Sequence, residues 1–113
     1  MSRFLARIEL HGKPDRSITE NDYHKLDIEM ICRGFEKTIG ASNGVQHSLP
    51  TAEYHKTSDE LIAEILHEAK DAAYEVQALS ETIRSYSVIV THYVEATGYN
   101  LKEIKKKGLT YIG

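Results

Sequence analysis

Residues that could move protons and neutralise phosphate charge alternate along the first apolar segment of the chain. Arg7, Glu9 and His11 occupy every second position, so an extended backbone would place their side chains on one face. RNA cleavage needs a base that activates the 2′-hydroxyl, an acid for the leaving oxygen and a cation that stabilises the phosphorane charge. These residue types could supply all three roles, although the solvent face of any amphipathic strand carries similar residues.

A second polar group lies in the middle of the chain, where two alternating pairs compete for one face. Glu53 and His55 share one parity of a predicted strand, and Tyr54 and Lys56 share the other. Which pair faces away from the core depends on whether Pro50 introduces a bulge, because proline cannot donate a ladder hydrogen bond. The candidate catalytic residues are therefore Arg7, Glu9, His11, Glu53 and His55.

The end of the chain is rich in lysine. Lys102, Lys105, Lys106 and Lys107 could contact RNA phosphates, but such a run is also typical of a solvated terminus. The net charge of the whole chain is −3. This value argues against a protein that coats nucleic acid by bulk electrostatics, so we expect any RNA contact to be local.

The sequence contains no spacing typical of a metal site, a phosphate-binding loop or a serine-nucleophile elbow. We therefore expect neither a metal nor a small-molecule cofactor, and we rank a small-molecule binding module last among the possible functions. The single cysteine fits a reducing cytosol. No apolar run approaches the roughly 20 residues needed to span a bilayer, so we expect a cytoplasmic protein without membrane contact.

The elements that must position these residues follow from the hydropathy pattern. Apolar residues at every second position predict a strand over residues 3–11. Residues 35–41 and 45–56 are predicted as the two strands of a hairpin, and residues 85–96 are rich in the Tyr, Val, Ile and Thr that are typical of a strand. Steps of three and four residues predict helices over about 19–33 and from 57 to between 78 and 84. Asn43-Gly44 predicts a type I′ hairpin turn with two positive φ angles. Thr19 with Asp22, and Thr57 with Glu60, are typical of helix starts.

The order strand, helix, strand, strand, helix, strand is the split-βαβ, ferredoxin-like pattern. We predict an α+β domain over residues 1–98 with a basic tail over 99–113. Its four-stranded antiparallel sheet would have strands one and three at the centre and both helices on one face. The other face would be open to solvent or to a partner. A non-enzymatic homodimer, paired through this open face or an edge strand, is therefore the alternative function.

Several segments together resemble the GhoS-type family of antitoxins from type V toxin–antitoxin systems. The segments are RFLARIELH (3–11), DYHKL (22–26), GFEKTI (34–39), LPTAEY (49–54) and SYSV (85–88). The resemblance implies a ferredoxin-like fold similar to the small CRISPR-associated endonuclease subunits. It also implies endoribonuclease action on messenger RNA, including a toxin's transcript. It assigns no catalytic residue in this chain and does not extend to the lysine-rich tail.

Overall fold

Two helices and two antiparallel sheets make up the computed structural model, which describes residues 1–41, 43–99, 101 and 103–104. The elements are β1 (Ser2–Gly12), α1 (Glu20–Cys32), β2 (Thr38–Gly40), β3 (Gln46–Ser48), β4 (Glu53–Ser58), α2 (Ile62–Leu79), β5 (Ile83–Tyr93) and β6 (Glu103–Ile104). The strand orders are β4-β1-β5 in the main sheet and β2-β3-β6 in the small sheet. The predicted α+β class is confirmed. Neither described helix has the length and apolar character needed to cross a bilayer.

Alternation along β1 decides which face of the main sheet is buried. Phe4, Ala6, Ile8 and Leu10 are at most 5% exposed. They form one cluster with apolar residues of both helices, including Leu26, Met30, Ile65, Ala69, Ala72, Ala73 and Val76. Complete burial of a side chain such as Leu26 stabilises the fold by about 2 kcal/mol. Both helices therefore lie against the same face of β1, and the opposite face of the sheet is left for the polar residues.

The single strand predicted over residues 45–56 is wrong, because the chain breaks between β3 and β4. Pro50 has no backbone N–H for a ladder, and Ala52 takes a left-handed conformation with φ +67°. In that position the Ala52 carbonyl accepts a hydrogen bond from the backbone N–H of Ile8 at 3.0 Å. At this break β3 ends in the small sheet, and the chain becomes extended again as β4, which pairs with β1.

The main sheet therefore has three strands instead of the predicted four. β1 is its central strand, as predicted, but β4 is paired along only one side. On the other side of β4, a single bridge joins His55 to Glu36, which precedes β2. The backbone groups of these two residues exchange hydrogen bonds of 2.7 and 2.8 Å. The segment before β2 thus contacts the main sheet at one point before the chain turns into the small sheet.

The hairpin between β2 and β3 uses a different turn from the predicted type I′. Gly44 has a positive φ of +84°. The Gly44 N–H donates to the Ala41 carbonyl, and the Ala41 N–H donates to the Val45 carbonyl, both at 2.9 Å. The turn that the Ala41–Gly44 bond closes therefore has Gly44 at its last position and not at its centre, and glycine adopts the left-handed conformation there without steric cost.

The predicted start of the first helix is confirmed, whereas that of the second is wrong. Thr19 and Asp22 form a reciprocal capping box at the start of α1. Thr57 and Ser58, by contrast, belong to β4, and α2 begins only at Ile62. The Ser58 hydroxyl donates to the Glu60 carboxylate at 2.8 Å and accepts from the Glu60 N–H at 3.0 Å. This local turn competes with helix formation and delays the helix by one turn.

Asp22 also fixes α1 to the loop that leads from α2 into β5. Its buried carboxylate accepts hydrogen bonds from the hydroxyls of Ser80 and Thr82, in addition to those from Thr19. Burial alone would raise the pKa of Asp22, but the hydrogen bonds from Thr82, Thr19 and Ser80 outweigh it and hold the pKa below its usual value. The ionised Asp22 carboxylate therefore holds the start of β5 close to the start of α1.

We predict that Asp22→Ala lowers the free energy of unfolding at neutral pH by about 1–3 kcal/mol, because it leaves buried donors without an acceptor. The folded pKa lies below the unfolded one, so this stabilisation is present above the unfolded pKa and is lost as the pH falls below the usual value of 3.8. Urea unfolding measures both effects. Glu20→Ala, an exposed acid in the same helical turn, is the matched control and should change stability little. An equal loss in both variants would contradict the role of Asp22.

Candidate functional site

Strand register assigns the predicted polar residues to the face of the main sheet that lies opposite the helices. Arg7 pairs with Glu53 of β4, and Leu5 pairs with His55. On the other side of β1, Glu9 pairs with Ser87, and His11 with Ser85. We call this surface the open face. It comprises Arg3, Leu5, Arg7, Glu9 and His11 of β1, Glu53, His55 and Thr57 of β4, and Ser85, Ser87, Ile89, Thr91 and Tyr93 of β5.

The question of which β4 pair faces away from the core is thereby answered. Tyr54 is fully buried, so Glu53 and His55 belong to the open face. All five predicted catalytic residues lie on it. They do not form one site, however, because His11 lies six residues along β1 from Leu5, the partner of His55. At about 3.3 Å per residue this separation is about 20 Å, too far for the two histidines to act on one phosphate.

His11 belongs to a small surface network at one end of the open face. Its Nε2 atom lies 2.8 Å from the Ser87 hydroxyl. Its Nδ1 atom lies 3.5 Å from a carboxylate oxygen of Glu9, whose side chain is 60% exposed. Exposed side-chain contacts of this kind contribute little to stability. This end of the face therefore resembles an ordinary solvated strand.

The other end of the open face carries a closer arrangement. The Tyr93 hydroxyl and His55 Nε2 are 2.6 Å apart, and the two rings meet edge to face with centroids 5.7 Å apart. The Arg3 guanidinium lies 5.1 Å from the centroid of the Tyr93 ring and donates a hydrogen bond to the Val94 carbonyl. We call Arg3, His55 and Tyr93 the histidine–tyrosine site.

Sequence reasoning missed two members of this site. Arg3 continues the two-residue spacing of Arg7, Glu9 and His11 back to the start of β1, so its place on the open face was accessible from the pattern. Tyr93 gave no such signal. It reaches His55 only because β4 and β5 lie on either side of β1 in one particular register, and a single sequence does not specify that register.

The local environment sets opposite protonation preferences within the pair. Burial lowers the pKa of His55 below its usual value; the Glu36 carboxylate opposes this shift, and the Arg3 cation adds to it. Burial also raises the pKa of Tyr93, while Arg3 opposes that change. At neutral pH the site therefore holds a neutral imidazole beside a protonated phenol. One group can accept a proton and the other can donate one.

A half-buried cation supports the turn that leads into β4. Lys37 Nζ donates to the backbone carbonyls of Pro50 and Glu53 at 3.0 Å each and lies 4.6 Å from the centroid of the Tyr54 ring. The Tyr54 hydroxyl donates to the Asp27 carboxylate at 2.6 Å. Burial lowers the pKa of Lys37, although Asp27 and Glu53 oppose the shift. Lys37 thus ties the turn and β4 to each other, while Tyr54 ties β4 to α1.

The lysines predicted as RNA contacts, Lys102, Lys105, Lys106 and Lys107, lie outside the described residues. Within the described part of the chain, no group of three histidine, cysteine or acidic residues is arranged to hold a metal ion. Among the described residues, the candidate functional groups therefore lie on the open face.

No protein-family model, curated protein or solved structure matches this chain.

We predict that Arg3→Gln raises the pKa of His55, because it removes a neighbouring positive charge that disfavours the imidazolium. NMR titration of the His55 ring measures this pKa. Arg84→Gln is the matched control, since Arg84 is exposed and lies near the other end of β5. An unchanged His55 pKa in Arg3→Gln, or an equal shift in both variants, would contradict the electrostatic coupling.

Proposed function

We propose that this chain is an RNA-binding endoribonuclease that cleaves messenger RNA at the histidine–tyrosine site. The observation that carries the proposal is the 2.6 Å contact between His55 Nε2 and the Tyr93 hydroxyl beside the Arg3 guanidinium. It supplies a proton acceptor, a proton donor and a cation on one face of the sheet, although His55 itself is only 8% exposed. The choice of messenger RNA as substrate comes from the resemblance to the GhoS-type antitoxins.

The proposal includes a ferredoxin-like fold. The central position of β1 between β4 and β5 and the cluster that both helices form on one face of β1 support it. In such a fold the strand after the first helix pairs with the outer edge of the third strand. The bridge from Glu36 to His55 lies at that place. The second strand of this chain would then be reduced to a single bridge, with the rest of its segment diverted into the small sheet.

In the proposed reaction the bound phosphate separates His55 from Tyr93, and the neutral His55, whose Nε2 lone pair is then free, takes the proton of a ribose 2′-hydroxyl. A bond forms between the 2′-oxygen and phosphorus, and the bond from phosphorus to the 5′-oxygen breaks. Tyr93 donates its proton to that leaving oxygen. The products are a 2′,3′-cyclic phosphate and a 5′-hydroxyl. Because the two side chains are hydrogen-bonded in the free protein, the proton can return from His55 to Tyr93 once the products leave.

The two arginines of β1 have different roles in this proposal. Arg3 lies against Tyr93 and would stabilise the phenolate that forms when Tyr93 gives up its proton. Arg7 lies opposite Glu53, two residues along β4 from His55, and would stabilise the charge of the phosphorane. In an RNA strand that lies along the open face, phosphates next to the cleaved one would contact Arg7, outside the histidine–tyrosine site. Arg7 should therefore contribute to binding as well as to catalysis.

We predict that His55→Gln reduces the rate of RNA cleavage by about 10²–10⁴-fold, the usual contribution of a positioned proton acceptor. His11→Gln is the matched control on the same face, and it should retain most activity because His11 lies about 20 Å away along β1. Release of cyclic-phosphate ends from a labelled RNA measures the rate, and thermal unfolding checks that both variants fold. Equal activity of His55→Gln and the natural chain would disprove the assignment, as would an equal loss in His11→Gln.

We also predict that Arg7→Gln weakens RNA binding. In a His55→Gln background, which prevents cleavage, the slope of log affinity against log salt should fall by about 0.7 for one lost contact to single-stranded RNA. Fluorescence anisotropy with a labelled RNA measures the affinity. Lys70→Gln removes an exposed cation from α2 and serves as the control. If Arg7→Gln leaves the salt slope unchanged, the open face does not hold the RNA backbone.

A further inference from the structure

β5 has an edge that lacks the usual protection against pairing. It is the terminal strand in the order β4-β1-β5 and is 11 residues long. No other strand among the described residues pairs with its outer side. Residues 85–91, SYSVIVT, contain neither a charged residue nor a proline. Natural edge strands generally carry lysine, proline or a bulge, because a plain edge is a template for another strand.

A hydrogen bond on the other side of β1 determines the direction in which the backbone N–H and C=O groups at the middle of β5 point. The Ile8 N–H donates to the Ala52 carbonyl beside β4, so the backbone groups of Ile8 point away from β5. Ile8 is paired with Val88. In an antiparallel ladder both members of such a pair turn their N–H and C=O groups away from each other. Val88 therefore presents its backbone donor and acceptor to the outer edge.

We propose that this edge pairs with β5 of a second copy of the chain, antiparallel, about a two-fold axis at Val88. Val88 is the central residue of the strand, so this axis gives full overlap of the two edges. The two Val88 residues would exchange both of their backbone hydrogen bonds, and Tyr86 of each copy would face Val90 of the other. Within residues 85–91 this pairing brings no charges together, so no charge repulsion opposes it there.

Apolar side chains beside the edge favour pairing with a second copy of the chain over pairing with a short isolated peptide strand. Tyr86, Val88 and Val90 pack against the core but remain partly exposed. Tyr74 of α2 is 59% exposed and lies one turn from Gln77, whose amide donates to the Arg84 carbonyl of β5 at 2.6 Å. A stable interface buries about 1,200 Å² or more in total. Strand pairing would need such flanking side chains from both copies to reach that area.

The first experiment measures the mass of the full chain by sedimentation equilibrium from micromolar to hundreds of micromolar concentration. The expected result is a species of twice the chain mass, which dissociates on dilution. A monomer throughout this range would overturn the proposal, whether the edge is then free or covered by another part of the chain.

The second experiment locates the contact by disulfide trapping in a Cys32→Ser background, because Cys32 is exposed. Hydrogen-bonded cross-strand residues have Cα atoms about 5.5 Å apart, within the range of a disulfide, so Val88→Cys should form a covalent dimer under mild oxidation. Thr91→Cys is the matched control, since the two copies of residue 91 would be about 20 Å apart along the strands. Equal trapping at both positions, or a dimeric mass without trapping at Val88→Cys, would overturn the edge pairing. Circular dichroism checks that both variants fold.

Discussion

The register in which β1 is held between β4 and β5 is the constraint on which the whole open face depends. Side chains alternate along a strand, so a slip of one residue would exchange the buried row for the polar row. The burial of Phe4, Ala6, Ile8 and Leu10 against both helices makes such a slip costly. The bond from the Ile8 N–H to the Ala52 carbonyl fixes β4 against this frame. The positions of Arg7, His55 and Tyr93 relative to one another follow from these contacts.

The sequence was sufficient for features set by local pattern. Alternation along β1 correctly identified its buried and polar faces, because one strand's hydropathy records which side is covered. The capping box of Thr19 and Asp22 was also readable, since both partners lie within one helical turn. The break at Ala52 could be predicted from the sequence only in part. Pro50 indicated a possible bulge in that strand, but nothing in the residue type of Ala52 indicates a left-handed conformation. That conformation is stabilised by tertiary contacts with Ile8 and by Lys37 across the turn.

The late start of α2 shows how an ion cluster, added to the local turn of Ser58 and Glu60, can override a helix-start signal. Glu60 was expected to reach back to a helix cap at Thr57, but its carboxylate lies 3.2 Å from Lys56 Nζ. Glu68 lies 2.6 Å from the same nitrogen, which also donates to the Arg33 carbonyl at 2.8 Å. Hydrogen bonds from Glu68, Ser58 and Lys56 lower the pKa of Glu60 to about 2, whereas burial raises the pKa of Glu68. A largely buried lysine therefore takes the carboxylate that the helix would have used. Capping patterns in the sequence carry no information about such a competitor.

The open face and the edge of β5 are perpendicular surfaces of one sheet, so the proposed RNA binding and the proposed self-association do not exclude each other. A two-fold axis at Val88 would run through the sheet and leave both open faces on the same side of a six-stranded layer. Tyr93 lies five residues from that axis, so the two histidine–tyrosine sites would be about 33 Å apart along the strands. Each would remain complete within its own copy, because Arg3, His55 and Tyr93 all come from one chain. Loss of pairing should therefore weaken the hold on a long RNA that spans both sites, while cleavage of a short RNA at a single site would persist.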